Sequence, residues 1–165
     1  MCPCWRHSPG RRPPARFSQA SWAARREPAT PGYRCRAVTQ LHHYFAYLIP
    51  TGWLVLAVWS GATLVRNKPP ASAFWSLLAV MQVALGIQAV LGIILFLMGF
   101  RPNSNGPSWL HYIYGLIFPV VVLVFAHRYA QKDRFKDIPW LVFGIAAFLI
   151  GFATIRAIQT GLGID

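Results

Sequence analysis

Three histidines, His42, His43 and His111, are the residues of this sequence best suited to chemistry. A neutral imidazole offers a lone pair to a metal, and two imidazoles facing each other ligate a haem iron axially. Leu41-His42 is followed by Pro50 and Leu110-His111 by Pro119 at the same interval, so a histidine recurs at matching places about 70 residues apart. Arg101 and Arg156 fall near the same surface, where guanidinium groups could pair with carboxylates such as propionates. Tyr114 adds a hydroxyl nearby. Gln82 and Gln88 are amides inside apolar stretches, where such groups more often bind helix to helix than bind a ligand. The plainer reading of His42, His43 and His111 is that they are amphipathic residues at a water boundary. His127, beside Arg128 and with no second histidine at its own end, reads as a solvated end residue.

No catalytic motif stands out, and the leading reading is therefore non-enzymatic. The apolar stretches lack Asp, Glu, Lys and Cys, which leaves a proton relay or ion-coupled pathway few groups to run through. All three cysteines (Cys2, Cys4 and Cys35) lie near the N-terminus, and Cys2-Pro3-Cys4 lacks the second ligand pair of a zinc site.

The elements that must position these side chains are apolar runs of about 20 residues, the length that crosses roughly 30 Å of hydrocarbon as a helix. They are expected at 44–65, 74–100, 109–126 and 139–156. With 55% hydrophobic residues and only 12% charged, the chain reads as all-α, a polytopic membrane protein with a four-helix up-down-up-down transmembrane bundle. Trp53, Trp75, Trp109 and Trp140 sit mostly near span ends, as an aromatic belt requires. Small residues are expected to pack the helices: Gly86 and Gly92 in the second span, Gly115 in the third, Gly144 and Gly151 in the fourth. Pro119 should kink the third span, with Gly115, Phe118 and Val122 sharing one face with His111. A further echo, Ile87–Ile93 with Ile158–Ile164, suggests duplication of a two-helix hairpin into parallel repeats.

The loops at 66–70 and 128–137 carry Arg66, Lys68, Arg128, Lys132, Arg134 and Lys136, whereas the loop between them carries Arg101 alone. The positive-inside rule makes the two basic loops cytoplasmic and puts the termini of the 38–165 domain outside. Eight of the sixteen Lys and Arg residues lie in the first 36 positions, in a Pro- and Arg-rich arm (1–37) without periodicity that reads as disordered. Translocating that arm conflicts with the orientation. Either the topology is reversed, or the native chain begins near Val38 and the arm is read-through of non-coding sequence; the second is favoured. An Arg-rich arm attracts anionic lipid or nucleic acid, but no patterning supports a specific nucleic-acid site.

The span holding Gln82, Gly86 and Gly92, then a short polar loop and Leu110-His111-Tyr112 opening the next span, resembles one four-helix half of haem A synthase or of a membrane cytochrome b. That resemblance covers about residues 72 to 128. It implies a b-type haem held between helices at the outer face by His111 with His42 or His43, with Arg101 and Arg156 near it. In general layout the chain also resembles small four-span bacterial membrane proteins. Three functions are thus expected: an accessory or assembly subunit of a bacterial plasma membrane, a haem-binding electron-transfer or haem-handling protein, or a lipid- or quinone-binding bundle. Its partners would be the lipid bilayer together with another membrane protein or a second copy of the chain.

Overall fold

A computed structural model describes residues 31–102 and 107–164, with side chains from residue 36 onward. The chain forms four long helices, α1 (Pro31–Arg66), α2 (Ser72–Leu97), α3 (Trp109–Ala130) and α4 (Pro139–Leu162), with no strand among the described residues. All four are long and apolar enough to cross a membrane. Residues 1–30 of the arm lie outside the described residues. Helix α1 starts at Pro31, inside the segment read as a patternless arm, and α4 runs past residue 156 to Leu162.

The helix ends follow local chemistry. Asn67 takes φ 48 after α1, with the Lys68 N–H on the Thr63 carbonyl, and Pro69-Pro70 prevent continuation. Gly99 (φ 86) and Gly163 (φ 75) turn the chain off α2 and α4 in the left-handed conformation that suits glycine, and the N–H groups of Phe100 and Ile164 reach back to Leu95 and Gln159. Pro139 opens α4 at a position where a missing N–H costs nothing.

Packing centres on α1 and α4, the most buried of the four. Side chains of one fill notches in the other: Ser60 sits on Gly144 and Leu54 on Gly151, so the two helices run in opposite senses. The Ser60 hydroxyl donates to the Trp140 carbonyl (3.2 Å), satisfying a buried polar group across this seam. Met81 of α2 fills the notch at Gly52. The buried core includes Ile49, Trp53, Leu56, Phe74, Leu78, Met81, Phe143, Ala147 and Ile150. At one end, Trp59, Phe74, Trp75, Phe143 and His127 form a chain of edge-on ring contacts across all four helices. This is the basic end, where Lys68 and Lys132 lie. Helices α2 and α3 meet chiefly through long side chains, Gln82 with His127 here and Phe96 with Tyr112 at the far end.

One expectation is corrected. Gly86 does not pack helices: it is exposed, and a Cβ there would meet nothing within 4 Å. His127 is exposed, as expected, and its Nε2 lies 3.4 Å from the Gln82 amide nitrogen with its ring 5.0 Å from Phe143. Outward-facing Val58, Val83, Val124 and Phe152 leave a surface that favours lipid over water.

Candidate functional site: a cavity with paired histidines

Opposite the basic end, all four helices enclose a cavity of about 690 Å³. It is lined by His42, His43, Arg101 and His111, the candidate ligand-binding residues, by Gln88, Gly92 and Gly115, expected instead to join helices, and by Tyr112, Gly161 and Phe96, which were not singled out as site residues. Arg156 and Tyr114 are not among the residues lining it. Arg156 is exposed and donates to Gln159 Oε1 (3.2 Å) on its own helix. Tyr112 takes the place expected for Tyr114, with its ring edge-on to both Phe96 (5.4 Å) and His111 (5.7 Å).

The His42 and His111 rings come from different helices and lie 6.5 Å apart, tilted by 54°. The His111 Nδ1 lies 2.8 Å from the Ala157 carbonyl oxygen. Because a carbonyl only accepts, Nδ1 carries a proton, and in the neutral ring the lone pair is then on Nε2. Binding to a backbone carbonyl through the other nitrogen is also how metal-ligating histidines are oriented. His42 Nδ1 is buried with no hydrogen-bond partner, which in an apolar site is costly unless something else uses it. The Gln88 amide donates to the His42 backbone carbonyl (3.1 Å), and its own Oε1 is buried without a partner. Gln88 therefore joins helices, as expected, and lines the cavity as well.

Glycines make the room. A Cβ at Gly92 would lie 3.5 Å from His42 Cε1, and one at Gly161 would lie 3.0 Å from His111 Nδ1. Each histidine thus faces a glycine on the helix it packs against, His42 with Gly92 and His111 with Gly161. Both partners are separated by 69 residues, as are the histidines themselves. Around the cavity the two halves therefore correspond at an offset of 69 in the second helix of each pair too, not at the offset of 71 between Ile87 and Ile158. Pairs lining the cavity at that spacing include Ala46 with Gly115, Leu85 with Thr154 and Ala89 with Ile158.

Arg101 is held at the rim. Its guanidinium lies 4.2 Å over the Phe96 ring, and Nη1 donates to the carbonyls of Phe96 (3.0 Å) and Phe100 (3.1 Å). It offers a fixed cation to an anionic group. No cluster of three or more His, Cys, Asp or Glu side chains occurs among the described residues, so the chemistry on offer is a pair of imidazoles. Neither protein-family models, nor curated proteins, nor solved structures match this chain.

Proposed function

We propose that the four helices cross a plasma membrane up-down-up-down, with the cavity at the outer end, and that the chain is a small non-enzymatic subunit holding a b-type haem between His42 and His111. One observation carries this reading: two imidazoles from separate helices, 6.5 Å apart, project into a cavity that all four helices line. Two such imidazoles are the ligand set that would hold a haem iron.

The remaining residues fit that group. Nε2 of His111 and Nδ1 of His42 are nitrogens without protein partners, Gly92 and Gly161 leave the space beside each ring clear, and Arg101 stands where a propionate would need a cation. A bound haem would supply one-electron redox chemistry. The chain's own part is to hold the rings, orient His111 through the Ala157 carbonyl, and exclude water with Ile49, Leu85 and Leu95. The basic loops at the other end support the orientation, since positive loops stay cytoplasmic.

The test is a reduced-minus-oxidised absorption spectrum of protein purified in detergent after expression with ample haem. A sharp α-band that disappears in both His42→Ala and His111→Ala is expected; a featureless spectrum of the unaltered protein sinks the reading. The orphaned Gln88 Oε1 favours a second occupant, a quinol, whose hydroxyl would donate to it. Native mass spectrometry showing a bound quinone and no haem would decide for that alternative.

A further inference from the structure

The two halves of the bundle match at one spacing around the cavity and at another below it. Around the cavity, His42 and Ala46 of α1 correspond to His111 and Gly115 of α3, 69 residues on. Deeper in the bundle, the buried face of α1 is Ile49, Trp53, Leu56 and Ser60, whereas the inward face of α3 is Pro119, Leu123, Ala126 and Ala130, 70 residues on. Between the two levels α3 uses one residue more than α1.

That residue is accommodated in a π-helical turn, Ile113–Ile117, where the Phe118 N–H bonds to the Ile113 carbonyl five residues back. Eight residues separate His111 from Pro119, and in a regular α-helix they would drift by about 80°, whereas one residue inserted into a turn rotates what precedes it back by about 100°. His111 is thereby brought nearly in line with Pro119. A regular helix that kept the deeper face would instead present Tyr112, two full turns before Pro119, in the place that His42 occupies on α1. The proline alone does not make the turn, because Pro50 lies inside an unbroken α1. What differs is position 115, a glycine where α1 has Ala46; a Cβ added there would lie 3.5 Å from the Ala157 Cβ.

We propose that the π turn Ile113–Ile117, by taking up one residue more than a regular helical turn, sets the register of the site and places His111 opposite His42 with Tyr112 beside it. It is a positioning element, and it deepens the haem reading by naming what aligns the second ligand.

A turn that takes up one residue more than a regular helix should tolerate the loss of one. Deleting Ile113 leaves seven residues between His111 and Pro119, which a regular helix also aligns. The test uses full-length chain with Cys2, Cys4 and Cys35 changed to Ser, carrying either His111→Cys or Tyr112→Cys with Gly161→Cys, in membranes treated with a short thiol cross-linker. Position 111 should cross-link to 161 several-fold faster than position 112, and deletion of Ile113 should preserve that preference. Deleting Val124, in the regular part of α3, should abolish it. Faster cross-linking of position 112 in the undeleted chain, loss of the 111 preference on deleting Ile113, or failure of that deletion variant to fold each overturns the proposal. Cross-linking needs no ligand, so its result is independent of whether haem binds. Where haem does bind, the Ile113 deletion with both histidines intact should retain the α-band.

Discussion

A single methyl group separates the roles of the glycines. At Gly86 an added Cβ points into open space, so Gly86→Ala should raise stability by about 0.5–1 kcal/mol through reduced backbone entropy of the unfolded chain. At Gly144 the same methyl runs into Ser60, and overpacking of this kind costs about 1–3 kcal/mol. Unfolding in mixed detergent micelles, followed by circular dichroism, should place the two variants on opposite sides of the parent. Gly161→Ala would press on His111 and loosen its bond to Ala157; the expected signature is weakened haem retention on dilution with little change in helicity. His42, His111 and Gln88 were legible in the sequence because their types are rare in or beside apolar runs, and Arg101 because it is the one cation of its loop. Arg156, Tyr114 and Gly86 were misplaced for a different reason. A helix that is apolar on every side gives hydropathy no azimuth, so which way a residue points is decided by neighbours that the sequence does not display.

At the scale of the element, length and greasiness made the existence of four helices plain. Their ends were harder. Hydropathy falls away near Tyr44 and near Arg156, yet α1 reaches back to Pro31 and α4 runs on to Leu162, because backbone hydrogen bonding does not depend on side-chain polarity; α4 stops only where Gly163 takes positive φ. The π turn was invisible for a related reason: Pro119 signals a missing donor, but whether the helix bends or widens depends on what stands opposite Gly115. Gly163→Val should fray the last turn of α4, which carries Gly161, because a branched side chain is strained in the left-handed region; a loss of about 1–2 kcal/mol is expected in the same unfolding assay.

For the molecule as a whole, the proposed orientation puts Lys68 and Lys132 on one face of the membrane. An impermeant amine-reactive label added to intact cells should miss both, and label both once the cells are opened; labelling of one alone refutes the topology. The internal echo was legible in the sequence, but its offset of 69 around the cavity emerged only from the Gly92 and Gly161 contacts.

The unequal packing described above has a mechanical consequence. Helices α1 and α4 interlock through glycine notches along much of their length, whereas α2 and α3 join each other by Gln82 to His127 and by Phe96 to Tyr112. The interlocked pair is therefore a spine and the outer two are leaves hung from it. Deuterium should enter the leaves sooner than the spine, and thermal breathing should widen the seam between the leaves first, at the level where His42 and His111 look across at one another.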